Sequence, residues 1–373
     1  MDFAFSEDQE LLRAAARDYL ADRYGEERVV ALAESDAGWD PDSWSQLAEL
    51  GWLDPELGLL EHAVLAEETG SALLPAPWFA TVGLAWPLLD DELREAVSAG
   101  RRSATLAWAE PDSPATLLTA AHRSSTRAGA DGRLTGSKVL VPDLTSVTDV
   151  VVVTAEGLYV VDVEANPDVV VPRSTMDLTR RLGELRLDGT PARSLDASPD
   201  ALTEVRRRAL ALLACEAVGV AQRVLDITAA YTKERQQFGR VIGTYQGVSH
   251  RVANTFVALQ LARSMAYWAA WTVSENDPQA DLAVAGAKAA AGEGAVFACE
   301  QGIQALGGIG FTYEHVLHRY YKRAQWIDAF DGNGRVQRAV IAAELLDRRG
   351  GEGVAETTLP VTTESKSESE SAA

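Results

Sequence analysis

The sequence predicts a mainly helical protein with a β domain in its middle, and the period of its apolar residues predicts it. Over residues 1–103 apolar side chains recur at helical spacing. Between 104 and 198 they alternate, or gather in short Val-rich runs cut by Gly, Pro and Asp. From 199 to 350 long Ala-rich helical segments return, and 351–373 is rich in Ser, Glu and Thr. The expected order is an N-terminal helical domain (1–103), a middle antiparallel β-sheet or barrel (104–198), a C-terminal four-helix bundle (199–350) and a disordered acidic tail (351–373). The tail has too little apolar surface to offset its chain entropy.

Each element has its own signal. Ser6-x-x-Gln9 is a capping box, followed by Leu11, Leu12, Ala15, Tyr19 and Leu20 on one stripe. Asp40-Pro41 offers an N-cap and a first-turn proline before Trp44, Leu47 and Leu50. "PELGLLEHAVLAEETG" predicts a further helix, with Gly70 as its C-cap. In the β region Glu156-Gly157 lies between two apolar runs and predicts a hairpin turn. In the C-terminal region helices are expected from about 200, from "YQGVSH" onward, after Asp277-Pro278, and after Gly334 as the fourth. Alanine at the contacts suits close antiparallel packing.

Composition narrows the function. The 373 residues are 47% apolar, with a formal charge of −21 and a pI near 4.7. That balance argues against nucleic acid, which needs a basic footprint, and against an anionic membrane surface. Cys215 and Cys299 are the only cysteines, and both lie in Ala-rich runs, so buried free thiols are expected. His62, His122, His250, His315 and His318 form no H-E-x-x-H pattern, and no metal site is expected. The N-terminus lacks a signal-peptide pattern, and no apolar run approaches the ~20 residues of a membrane span. A cytoplasmic setting follows.

Three stretches carry chemistry. "KERQQFGRVIGTYQGV" (233–248) puts Arg235 and a Phe-Gly stop where one long helix turns into the next. An arginine fork there suits a diphosphate, and an interhelical turn alone would use the same glycines. "QALGGIGFTYEHVLHRYYKRA" (304–324) clusters Gly307, Gly308 and Gly310 at a helix end, which allows either a phosphate or a neighbouring helix to come close. "IDAFDGNGRVQRAV" (327–340) centres on a turn, where Asp331 could start a helix or move a proton.

In this order, on this frame, the three stretches resemble the acyl-CoA dehydrogenase family over residues 1 to about 348. "GSKVLVPD" and "DLTRRLGELRLDG" are similar to that family's middle domain. The resemblance implies FAD held non-covalently between subunits and α,β-dehydrogenation of an acyl thioester, on CoA or on an acyl carrier protein. It implies that Arg235, Gln237 and Phe238 contact the FAD of a neighbouring subunit, with Ile242 and Gln246 nearby and Gln304, Gly307 and Gly308 completing the contact. Asn333 and Arg335 match positions that touch FAD from the subunit's own side. Asp331 falls where many members carry the catalytic Glu and would take the α-proton while flavin N5 accepts the hydride. A homo- or hetero-oligomer, dimer or tetramer, and an electron-transfer flavoprotein or other acceptor are the implied partners.

The chain also departs from that pattern. Asp331 is one methylene shorter than Glu. The Trp-x-Thr against the flavin ring aligns with Leu140-Val141-Pro142, and a flavin-facing Thr aligns with Ala109 beside Trp108. "GWLDPELGLLEH" lacks the Pro- and Gly-rich loop that covers the acyl pocket. The alternative base position on the first bundle helix is Ala209. Nearby Arg206, Arg207 and Arg208 could meet CoA phosphates or form a solvated basic face. The expected function is dehydrogenation with Asp331 as base. The alternatives are a non-catalytic, FAD-completing subunit of a heteromeric assembly, or a flavin monooxygenase on the same fold.

Overall fold

The computed structural model describes residues 5–54, 56–112, 116–198 and 200–350. The tail expected to be disordered, 351–373, lies outside the described residues.

The N-terminal domain opens with α1 (Glu7–Arg23), which starts at the expected capping box: Ser6 Oγ accepts from Gln9 N–H at 3.1 Å, and Gln9 Oε1 accepts from Ser6 N–H at 3.0 Å. Helices α2 (Glu26–Glu34) and α3 (Ser43–Glu49) follow. Asp40-Pro41 forms the turn before α3 and does not start it, and Asp42 is the N-cap residue. Next come α4 (Leu59–Ala72), a fully buried π-helix (Phe79–Ala85), a 3₁₀ turn (Trp86–Leu88) and α5 (Asp91–Ser98).

Gly70 is not a C-cap. It lies inside α4, which ends at Leu73 with a left-handed φ of 51°. Its missing side chain serves a helix crossing. A Cβ on Gly70 would overlap the Glu216 carbonyl of α7 (Ala201–Glu234), and one on Gly219 of α7 would overlap the Glu67 carbonyl of α4. Backbone meets backbone there, as only glycine permits.

The middle domain holds two four-stranded sheets. One has the order β1-β4-β5-β8, from Ala104–Ala107, Asp149–Val153, Leu158–Asp162 and Arg193–Leu195. The other has the order β2-β3-β7-β6, from Arg127–Ala128, Arg133–Pro142, Leu182–Pro191 and Val170–Pro172. Glu156-Gly157 does turn the β4–β5 hairpin, with Val153 opposite Leu158. The all-antiparallel expectation needs one correction: β1 and β4 pair in parallel. The long connection between them, which carries a 3₁₀ turn (Leu117–Thr119) and α6 (Ala120–Arg123), lets the chain return in the same direction. Leu134, Val141, Val150, Val152, Val161 and Leu185 fill a core of the domain's own.

The C-terminal bundle uses α7, α8 (Gln246–Ser274) and α9 (Ala280–Leu306), with a small hairpin, β9 (Gln236–Gln237) and β10 (Arg240–Val241), between α7 and α8. Two helices, α10 (Leu317–Ala329) and α11 (Gly334–Gly350), pack on α9 where a single fourth helix was expected. By length and composition α9 is apolar enough to cross a membrane, contrary to the sequence expectation, yet 67% of its most apolar stretch is buried against the rest of the protein. Cys215 and Cys299 are buried free thiols, as expected.

These helices give the bundle two poles. The end of α7, the start of α8 and the end of α9 share one, where Arg251 Nη1 donates to Gln301 Oε1 at 2.6 Å. The starts of α7, α9 and α11 share the other, where Arg207 pairs with Asp281 at 2.6 Å and Arg206 Nη2 donates to Gln337 Oε1 at 3.0 Å. At 1.5 Å per residue, Arg206 and Arg235 stand roughly 40 Å apart along α7.

Candidate active site

At the first pole α7 ends at Glu234, and Arg235 turns the chain into extended backbone. The β9–β10 hairpin is a two-residue turn with left-handed φ at both central residues, Phe238 (53°) and Gly239 (82°). Gly239 adopts this readily. Phe238 does not, and the residue is 93% exposed at the tip. Tyr245 braces the hairpin: its hydroxyl donates to the carbonyls of Gln237 and Phe238 at 3.2 Å, and its ring carries the Arg240 guanidinium at 4.0 Å. Ile242 N–H donates to the Arg235 carbonyl at 2.8 Å, and Gln246 opens α8.

Arg235, Gln237, Gln246, Gln304, Gly307 and Gly308 are all exposed here, and Ile242 is half-buried. The Arg235 guanidinium has no acceptor among the described residues. Gly307 has a φ of 68°, and nothing lies within 4 Å of a Cβ placed on Gly307 or Gly308. Phe311 and Tyr313 are exposed beyond them. A strained, exposed aromatic beside an unpaired arginine and an open glycine cradle is a surface built to be covered. It fits a dinucleotide: a fixed donor fork for the diphosphate, room for the close approach of backbone, and apolar faces alongside.

The second pole is closed. The Asp331 side chain has 0% exposure. Its Oδ2 pairs with Arg206 Nε at 2.6 Å, and its Oδ1 accepts from Leu117 N–H at 2.9 Å. Arg206 Nη2 donates to Gln337 Oε1 at 3.0 Å, and Gln337 Nε2 returns to the carbonyls of Asp331 (2.8 Å) and Gly332 (3.1 Å). Asp331 itself is left-handed (φ 50°) and does not cap α11; Asn333 Oδ1 accepts the Val336 N–H of the first turn at 3.4 Å. Leu117 is fully buried, and Phe330, which precedes Asp331, packs its ring on Trp108 at 5.5 Å. Nearby Lys288 donates to the Asp328 carbonyl at 2.9 Å, and burial pushes its ammonium down to about 8.

The other expected positions follow. Asn333 and Arg335 are exposed at the start of α11, at the closed pole and far from Arg235. Both sets can touch one FAD only if two chains supply them. Ala209 is fully buried. Leu140 stands out at a bulge in β3 with φ 55°, while Val141 and Pro142 turn inward. The Ala109 carbonyl is taken by Val139 N–H at 2.9 Å.

Each of the three arginines of α7 has a partner within the chain. Arg206 holds Asp331, and Arg207 forks onto Asp281 at 2.6 and 2.8 Å. Arg208 donates to the Val82 carbonyl of the π-helix at 2.7 Å, and its burial lowers it to about 10. Beside it burial pulls the His62 imidazole down to about 3, so that ring is neutral.

The residues that sequence reasoning missed are Arg206 as the partner of Asp331, and Leu117 and Gln337 as its other constraints. A signal for Arg206 existed: Ala209 and Leu210 follow at i+3 and i+4, which places it on the inward stripe of α7. Nothing local marks Leu117, which reaches Asp331 across 214 positions of sequence.

Known proteins resemble this chain in sequence and fold. Residues 207–346 match the family model for the acyl-CoA dehydrogenase C-terminal domain. Acyl-CoA dehydrogenase IpdE2 of Mycobacterium tuberculosis is 33% identical over 331 residues, covering 85% of this chain and 91% of that protein. A solved structure described as a variant of the Tcur3481-Tcur3483 steroid ACAD superposes with a TM-score of 0.80 at 29% identity, covering 92% of this chain and 99% of that one. The ChsE4-ChsE5 complex from Mycobacterium tuberculosis shares the fold at a TM-score of 0.83 and 24% identity, covering 93% of this chain and 99% of that one. Fold, motifs and relatives agree: the chain belongs to the acyl-CoA dehydrogenase family and is a flavin oxidoreductase of that type.

Proposed function

We propose that this chain serves FAD-dependent α,β-dehydrogenation of an acyl thioester as the flavin-completing subunit of a heteromeric acyl-CoA dehydrogenase. In this reading Arg235, Gln237, Phe238, Ile242, Gln246, Gln304, Gly307 and Gly308 reach an FAD held chiefly by a partner chain. FAD, when bound, accepts the hydride from Cβ. The guanidinium of Arg235 offsets diphosphate charge, and the open glycines let backbone approach it. The partner supplies the base.

The observation that carries this reading is the state of Asp331. A general base needs a lone pair within reach of the substrate proton. Both oxygens of Asp331 are engaged, by Arg206 and by the Leu117 amide, with no side-chain exposure. Freeing it for substrate would break a buried ion pair, and that is costly. The two-component names of similar structures support a mixed assembly. The second reading, a dehydrogenase with Asp331 as base and Asn333 and Arg335 on its own FAD, rests on the presence of a carboxylate at that place. It requires Leu117 and Arg206 both to release it.

Thioesters of CoA or of a carrier protein are the substrate class, and a steroid acyl chain is the first to try given the neighbour described as a steroid ACAD. An electron-transfer flavoprotein is the proposed acceptor. A reducing, cytoplasmic setting suits the two free thiols.

The test is co-expression with a family member that carries the catalytic carboxylate, followed by anaerobic titration with acyl-CoA. The chain alone should be colourless, and the complex should hold one FAD per two chains. Asp331→Asn in the complex should leave flavin reduction within about twofold. A yellow chain alone, reduced by thioester and slowed on the order of 10²-fold by Asp331→Asn, would restore Asp331 as base.

A further inference from the structure

The three domains meet at a buried ion cluster that none of the chemistry above uses. Asp143, Asp177 and Arg180 come from the β domain, Glu216 from α7 and Arg323 from α10, and all five are buried. Arg323 Nε pairs with Asp177 Oδ2 and its Nη1 with Glu216 Oε1, each at 2.6 Å. Its Nη2 donates to the Thr179 carbonyl and hydroxyl at 2.8 and 2.6 Å. Arg180 holds both oxygens of Glu216 at 3.0 Å. Its guanidinium lies over the rings of Phe79, from the N-terminal domain, and Trp326 of α10, at 4.8 and 4.7 Å from their centroids.

Asp143 is the carboxyl left over. It faces Arg180, Arg323, Glu216 and Asp177, yet its buried Oδ2 has no hydrogen-bond partner, because Glu216, Asp177 and Thr179 take the arginine donors that face the cluster. With all groups ionised the cluster holds three negative charges against two positive, away from water. One proton balances it, and the unpartnered Asp143 is its place.

We propose that Asp143 carries this proton and that its loss loosens the junction between the β domain and the helical bundle, making the junction a pH-sensitive clamp. The electrostatics agree in direction: burial pushes the Asp143 carboxyl up to about 7, against the pull of Arg180 and Arg323. The folded state thus holds a proton that the unfolded chain releases in the ordinary carboxylate range. The clamp's contribution is complete at low pH and is lost as pH rises from that range through about 7.

Infrared spectra of the full chain, wild type and Asp143→Asn, test this between about pH 5 and 8, the range that brackets the raised carboxyl. The wild type at the acid end should show the carbonyl band of a buried protonated carboxyl, absent in Asp143→Asn and lost from the wild type at the alkaline end. Hydrogen exchange at 177–181 and 316–326 should quicken over the same range beyond the ordinary rise of amide chemistry with pH, in the wild type only. Asparagine preserves shape and neutrality, so the variant folds. A band that survives in Asp143→Asn, no band at the acid end, or equal exchange profiles would each overturn the proposal.

Discussion

The two poles of the bundle are made of the same kinds of residue and meet opposite fates. Each has an arginine at a turn of α7, a left-handed residue and a neighbouring glycine: Arg235 with Phe238 and Gly239, Arg206 with Asp331 and Gly332. At the closed pole the charges answer each other inside one chain. At the open pole the arginine has no answering group among the described residues, and the aromatic faces outward. What a charged residue does is decided by where its partner lies. A group already paired in its own fold is fixed, and an exposed, unpaired one can be given to another molecule.

Breaking the closed pole should have the largest effect. Arg206→Ala leaves the Asp331 carboxylate buried without its counter-charge, a loss of about 3–5 kcal/mol for a broken buried pair. Chemical denaturation should show it as a lower midpoint with little change in slope. A loss below about 1 kcal/mol, the worth of an exposed pair, would mean that the pair is not closed in solution. Replacing both residues with apolar side chains, Asp331→Leu with Arg206→Met, should recover much of the loss, since no charge is then stranded.

At the open pole the effect should move from stability to binding. Arg235→Ala should leave the melting temperature almost unchanged, because an exposed side chain without partners contributes within about 0.5 kcal/mol. FAD retention by the complex should weaken by roughly 10- to 100-fold, the worth of a hydrogen bond to a charged group. Equal flavin occupancy in variant and parent would remove Arg235 from the cofactor surface.

The smallest effect sharpens the comparison by opposing signs. Phe238→Gly removes a side chain from a left-handed position and should stabilise the free chain by up to about 1 kcal/mol. The same change should weaken assembly with the partner, because it deletes the most exposed aromatic of the surface. A variant that is less stable alone would show that Phe238 packs within its own chain.

Much of this was legible in the sequence because it is local. The capping box at Ser6, the hairpin turn at Glu156-Gly157 and the change of apolar period at the β domain depend on residues a few positions apart. The exposed turn from Arg235 to Gln246 was legible for the same reason, since its residues are neighbours in sequence. What was hidden depends on distant partners. Gly70 looks like a helix stop until Gly219 is seen against it. Arg206 and Asp331 are 125 positions apart, and Asp331 reads as a cap or a base until its guanidinium is found. The separate helix α10 is masked in sequence by the glycine-rich run just before "EHVLHRYYKRAQW", which draws the eye from that stretch's own helical period.

The glycine crossing of α4 and α7 has a mechanical consequence. A screw slid by one thread still fits its nut, but these two helices cannot advance even one residue, about 1.5 Å, without driving the side chain of Ser71 or Val220 into facing backbone. The N-terminal helices and the bundle therefore travel as one casting, seized at a single point. Any opening of this molecule must take place at the β domain, which is fastened to that casting along the seam that holds Asp143.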